Sequence, residues 1–89
     1  MNSPEIKKFI QANKRLFWYI PEEKKADISE ELLLETILNY GSLESVNKLF
    51  DLMGFEKAIW IFRERVKKRR SNYFPAVKNF FELYFERHA

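Results

Sequence analysis

Residues 29–54, SEELLLETILNYGSLESVNKLFDLMG, decide the fold of this chain. Apolar residues recur at intervals of three and four on both sides of Gly41, as they do along amphipathic helices. We expect Gly41 to end the first helix in the left-handed conformation and Ser42 to cap the second, which Gly54 then stops in the same way. The stretch therefore predicts two helices joined by a tight turn.

The first helix of this pair is predicted to lie at the centre of the core, because its apolar stripe is too wide to be covered on one side only. Asp27 is a candidate cap for it, with Glu30 three residues later in a capping-box arrangement. Glu30, Glu31 and Glu35 are expected to form its solvated face.

Two segments precede this pair. Ser3 and Pro4 are typical of a helix start, and the helical spacing that follows continues to about Asn13. The next apolar run, LFWYI at residues 16–20, is closed by a proline, which indicates an irregular or extended segment. Its aromatic rings either fill the core or form a surface on which a ligand stacks. Residues 22–26 are expected to be a solvated connection.

Two further helices are predicted after the pair. One runs from Phe55 to Arg70, with Trp60 widening its apolar face. The other has Asn72 as its cap and Pro75 in its first turn. Its core side chains are expected at spacings of three and four: Val77, Phe80, Phe81, Tyr84 and Phe85.

No segment alternates apolar and polar residues as a half-buried strand does. The fold class is therefore predicted to be all-α, a single compact domain of about five short helices over residues 1–89. Helices separated by glycine at 41 and 54 are also compatible with a trihelical core of the helix-turn-helix type, a pattern shared with many proteins that bind no DNA.

Composition limits the class of protein. Of the 89 residues, 46% are hydrophobic and 17% aromatic, so the chain can build a core although 33% of it is charged. There is no Cys to form disulfides or thiolate metal sites. No signal peptide and no apolar run long enough for a membrane helix is visible, so we expect a soluble, cytoplasmic protein with no membrane partner.

Charge is distributed unevenly along the chain. Residues 28–54 carry one cation and five carboxylates, whereas residues 55–89 carry nine cations and four carboxylates. Six of those cations form a basic run, with one more on the last helix, and all seven are candidates for binding nucleic-acid phosphates. These candidates are Arg63, Arg65, Lys67, Lys68, Arg69, Arg70 and Lys78. The alternative is a solvated helix end that complements the helix dipole.

A few residues carry a resemblance to a known family. They are LFW at 16–18, LNYG at 38–41, VNKL at 46–49 and NYF at 72–74 after the basic run. This pattern resembles a family of small bacterial helical proteins of unknown function. That family is often encoded beside nucleotidyltransferase-like toxins, so the resemblance implies an antitoxin-like role and a toxin of that type as partner.

Nothing in the sequence assembles a catalytic group. His88, the one histidine, lies next to the C-terminus, and no cysteine or closely spaced inward carboxylates suggest a metal. We therefore expect no enzyme activity and no cofactor.

Two functions remain open. The first is an antitoxin-like regulator that contacts DNA through the basic run, with Asn47 and Lys48 as the residues that a helix-turn-helix would present to bases. The second is a protein-interaction or homodimerisation domain that uses Phe81 and Tyr84 of the last helix.

Overall fold

A computed structural model of the chain describes residues 3–68 and 72–88. Within these ranges there are five α-helices, two 3₁₀ segments and no strand, which confirms the predicted all-α class. The helices are α1 (Pro4–Ala12), α2 (Glu30–Tyr40), α3 (Leu43–Met53), α4 (Phe55–Val66) and α5 (Pro75–His88). The 3₁₀ segments are Lys14–Phe17 and Glu22–Asp27.

Helix α2 lies at the centre of the core, as its wide apolar stripe predicts. It packs against α3 and α4, which also pack against each other, and α1 packs against α3 and the Glu22–Asp27 segment. Leu33, Leu34 and Ile37 of α2 are fully buried. Helix α5 closes the core with Phe85, whose ring lies within 5.2 Å of Phe62 between ring centroids.

The serines set the helix starts. The hydroxyls of Ser3 and Ser42 accept hydrogen bonds from backbone N–H groups three residues later, as predicted. The prediction for α2 was wrong: Ser29 caps this helix by accepting from the N–H of Leu32, at 3.1 Å. Asp27 instead ends a 3₁₀ segment.

The two glycines differ. Gly54 has φ of +97°, which favours glycine, as predicted. Gly41 has φ of −78° and ψ of 162°, so the predicted left-handed conformation is wrong. The reason for glycine at position 41 is steric, because a Cβ there would lie 2.7 Å from the carbonyl oxygen of Ile37.

Three further expectations about the later helices need correction. Helix α4 ends at Val66, earlier than predicted, and Arg70 lies outside the described residues. Trp60 points to solvent rather than to the core and is 64% exposed. Asn72 does not cap α5, because Phe74 is the residue whose carbonyl accepts the first helical hydrogen bond, from Lys78.

The segment between α1 and α2 is not simply a solvated connection. Phe17 is fully buried, so this ring of the LFWYI run fills the core. Lys25 is also buried, and its ammonium donates to the carbonyl oxygen of Ile20 at 2.7 Å and pairs with Glu22 at 3.2 Å. A hydrogen-bonded lysine thus holds the segment in place, because a buried ammonium needs partners.

Candidate binding surfaces

The basic run meets the acidic helix α2 in a partly buried ion-pair cluster. Arg65 donates from Nε to Oε2 of Glu35 at 3.1 Å and from Nη1 to Oε2 of Glu31 at 3.4 Å. Glu35 is only 3% exposed, so its predicted place on a solvated face is wrong. A buried carboxylate is retained only with partners, and the N–H of Asn72 supplies another at 3.2 Å. Arg65 is therefore a structural residue in this fold.

Lys67 and Lys68 of the basic run are exposed but accompanied by carboxylates. Lys67 pairs with Glu64 at 3.0 Å, and Lys68 lies 3.5 Å from Glu31. Among the described residues of the run, Arg63 forms no ion pair. Arg69 and Arg70 lie outside the described residues. The candidates thus do not form one unpaired cationic surface in the part of the run that the structure describes.

Residues 72–74 are fastened to α2 next to this cluster. The amide of Asn39 donates to the carbonyl of Asn72 at 3.1 Å and accepts from the N–H of Phe74 at 3.2 Å. Tyr73 between them is buried, with its ring 4.9 Å from that of Phe62 between centroids. Burial, and next the nearby Glu35 carboxylate, raises the pKa of the Tyr73 hydroxyl well above its ordinary value of 10.0. The segment is thus fixed by contacts on both sides.

Exposed aromatic rings form a strip across three segments of the chain. The strip consists of Trp18, Tyr19, Tyr40 and Phe74, all of them exposed. Trp18 and Tyr19 pack edge to face with centroids 5.7 Å apart, and Tyr40 and Phe74 do so at 5.3 Å. The Tyr19 hydroxyl is 2.8 Å from Oγ1 of Thr36, which lies one helical turn before Tyr40. We call these four rings the aromatic strip.

Each ring pair of the aromatic strip has a cation one turn away along the chain. Arg15 lies three residues before Trp18, and side chains so spaced eclipse each other along a 3₁₀ turn. Lys78 lies one α-helical turn after Phe74 and is 3.7 Å from the exposed carboxylate of Glu82. Lys14 and Arg15 form no ion pair with any described residue.

No carboxylate belongs to the segments that build the strip, residues 14–20, 36–40 and 72–78. The neighbouring Glu35 is neutralised by Arg65. Glu22 is held by Lys25, and the hydrogen bond from that lysine is the main reason that the pKa of Glu22 is lowered. The strip is therefore an aromatic surface with a local excess of positive charge.

The two partner-binding candidates on α5 are placed differently from expectation. Phe81 is 6% exposed and packs on Phe50 with centroids 6.4 Å apart, so its ring belongs to the core. Tyr84 is half-buried and stacks on Phe80 at 6.0 Å. Phe80, expected in the core, is 55% exposed, and Leu83 next to it is similarly exposed. We call Phe80 and Leu83 the α5 face.

Helix α3, the candidate reading helix, borders an open groove against α1. Asn47 and Lys48 are exposed there, as predicted. Glu44 and Asp51 of the same helix also line the groove, and Glu5 faces them from α1. This mixture of charges opposes binding of a phosphate backbone in the groove.

Sequence reasoning missed the aromatic strip as a unit, although it had considered the LFWYI run as a stacking surface. The run supplies two rings of the strip, but Tyr40 and Phe74 come from distant parts of the sequence. Only the fold brings Tyr19 to Thr36 and Phe74 to Tyr40, and no local pattern of the sequence indicates that.

Comparison with known proteins adds no match. No protein-family model, curated protein or solved structure matches this chain, so the resemblance to a bacterial antitoxin-like family remains a prediction. None of the helices in residues 3–68 and 72–88 is long and apolar enough to cross a membrane. Within the same ranges, no group of three His, Cys, Asp or Glu side chains could hold a metal ion.

Proposed function

We propose that this chain is a non-catalytic regulatory module that binds nucleic acid through the aromatic strip. One observation carries the proposal: two pairs of exposed rings, linked by the contact of Tyr19 with Thr36 one turn before Tyr40, lie on segments that bear cations and no carboxylate. Aromatic rings that stack on bases, with cations near the phosphates, are the two components of many nucleic-acid surfaces. The basic run is the weaker candidate, because Arg65 is committed to Glu35, and Lys67 and Lys68 face carboxylates, which leaves Arg63 without an ion pair among the described residues of the run.

The proposal is tested by two double variants that each remove two positive charges. Arg15→Ala/Lys78→Ala acts beside the two ring pairs of the aromatic strip, and Lys67→Ala/Lys68→Ala acts on the basic run. A labelled oligonucleotide is titrated with each protein at several salt concentrations, the lowest about 20 mM, and binding is followed by fluorescence anisotropy.

The strip variant should bind more weakly and lower the slope of log Kobs against log salt by about 1.4, because each single-strand phosphate contact contributes about 0.7. The second variant should bind like the unchanged chain. The proposal fails if neither single-stranded nor duplex DNA binds at low salt, or if only the Lys67/Lys68 variant loses affinity.

A second candidate is a protein partner on the α5 face, favoured by the exposure of Phe80 and Leu83. Large apolar side chains on the outward side of an amphipathic helix are typical of interfaces. The resemblance implies a nucleotidyltransferase-like toxin as the partner, and a second copy of the chain is the other expectation. Binding of either protein partner is compatible with nucleic-acid binding, since the α5 face and the aromatic strip share no residue.

The protein-partner candidate predicts association that survives moderate salt. Phe80→Ala/Leu83→Ala should abolish it without unfolding the chain, because both side chains are exposed. Trp60→Ala, which removes another exposed ring, is the control. Sedimentation of the chain alone and with the co-expressed toxin measures both associations, and a monomer that binds no toxin contradicts the candidate.

A further inference from the structure

We propose that the aromatic strip takes single-stranded nucleic acid, with unpaired bases stacked on its rings. This inference rests on the proposed function and specifies its ligand. It follows from the arrangement of the rings, the anchoring of two of them and the small number of cations around them.

The rings form two edge-to-face pairs. Trp18 and Tyr19 make the first pair, Tyr40 and Phe74 the second, and Thr36 connects them through its contact with the Tyr19 hydroxyl. One helical turn of about 5.4 Å separates Thr36 from Tyr40. With one base on each ring, four rings suit roughly four nucleotides, at the low end of the sites found in single-strand-binding proteins.

Two of the four rings belong to residues that are anchored before any ligand arrives. Phe74 is fixed through the backbone by Asn39, and Tyr19 is tied to Thr36 at its hydroxyl. Because the tied Tyr19 ring has less side-chain freedom left to lose, stacking on it costs less ordering entropy than stacking on a mobile ring. Trp18 is 81% exposed, so one face of the largest ring is open to a base.

The charges favour a single strand over a duplex. Arg15 near one ring pair and Lys78 near the other can each meet a phosphate, which is few contacts for a ligand bound by its backbone alone. In a duplex the base faces are covered by their neighbours, so the rings would have nothing to stack on. A single strand offers both base faces and phosphates, and therefore uses the whole strip.

The experiment titrates the full chain with labelled oligonucleotides of about twelve nucleotides. The probes are oligothymidylate, oligouridylate, a thymidylate duplex with oligoadenylate, and an abasic strand of the same length and charge. At one low salt concentration, a single strand should bind at least about tenfold more tightly than the duplex and the abasic strand.

Matched variants assign the binding to the strip. Trp18→Ala and Tyr40→Ala should each weaken single-strand binding by about tenfold, because both remove an exposed stacking ring. Trp60→Ala and Phe80→Ala remove rings of comparable exposure elsewhere and should change affinity by less than about twofold. Unchanged far-ultraviolet circular dichroism verifies that all four variants remain folded.

The outcomes separate this inference from the proposed function. Equal binding of abasic and normal strands, or preference for the duplex, overturns the stacking inference while nucleic-acid binding stands. Absence of binding to every probe overturns both. If sedimentation shows a dimer that Trp18→Ala dissociates, and no strand competes with it, the strip is a self-association surface and the inference is wrong.

Discussion

Arg65→Ala should destabilise the domain far more than loss of an ordinary surface cation. The variant leaves the Glu35 carboxylate, whose side chain is 4% exposed, with the N–H of Asn72 as its remaining hydrogen bond in the cluster. Breaking a buried ion pair by removing one partner costs roughly 3–5 kcal/mol. The Arg65 side chain is itself 23% exposed, so water can reach the gap, and we expect a loss of about 2–3 kcal/mol.

The assay is urea unfolding followed by circular dichroism, supported by thermal unfolding. The melting temperature should fall by about 10–15 °C, since 1 kcal/mol corresponds to about 5 °C in a domain of this size. Lys67→Ala is the control, because its pair with Glu64 is exposed and should be worth less than about 1 kcal/mol. The double variant Glu35→Gln/Arg65→Met leaves no buried charge at this pair and should be more stable than Arg65→Ala. Equal losses for Arg65→Ala and Lys67→Ala would refute the reasoning.

Three further predictions concern stability. Above pH 10 the folded state should weaken, because burial raises the pKa of Tyr73 above its unfolded value of 10.0. The preference of the folded state for the protonated hydroxyl contributes fully to stability below that pH. This contribution is lost as the pH rises towards the folded-state pKa. Tyr73→Phe should show a shallower alkaline decline in urea titrations, and an identical decline would contradict this. Gly54→Ala and Gly41→Ala should each lower the free energy of unfolding by about 1–3 kcal/mol. The cause is the φ of +97° at Gly54 and the contact of a Cβ with a backbone oxygen at Gly41. A neutral result for either variant in denaturant unfolding would count against its reason. Phe81→Ala should lose about 3–5 kcal/mol in the same assay but Phe80→Ala less than about 1 kcal/mol, whereas similar losses would disprove their assignment to core and surface.

The helices could be predicted from sequence because their signals are local. Ser3 and Ser42 bond to N–H groups three residues away, and apolar spacing of three and four needs no knowledge of the partner helix. Errors arose where two local signals competed or a distant contact decided. The structure uses Ser29 rather than Asp27 as the cap of α2. Glycine is needed at position 41 because a Cβ would collide with a backbone oxygen, and not because of its φ.

The candidate surfaces were less predictable because they depend on contacts between distant residues. Glu35 looks like a solvated residue until Arg65, thirty positions later, meets it. The same contact removes Arg65 from the predicted nucleic-acid surface. Conversely, the stacking alternative for residues 16–20 gains support only once the fold brings Tyr19 to Thr36, one turn before Tyr40, and Phe17 of the same run is buried instead.

The central claim is that nucleic acid binds at the aromatic strip and not at the basic run, and the two tryptophans test it directly. The chain has only Trp18 and Trp60, so an amide nuclear magnetic resonance spectrum contains two indole signals, which Trp60→Phe assigns. On titration with oligothymidylate, the Trp18 indole signal should shift while the Trp60 signal, from α4, stays in place. A shift of Trp60 together with the backbone amides of Arg63–Lys68, and none of Trp18, would contradict the account.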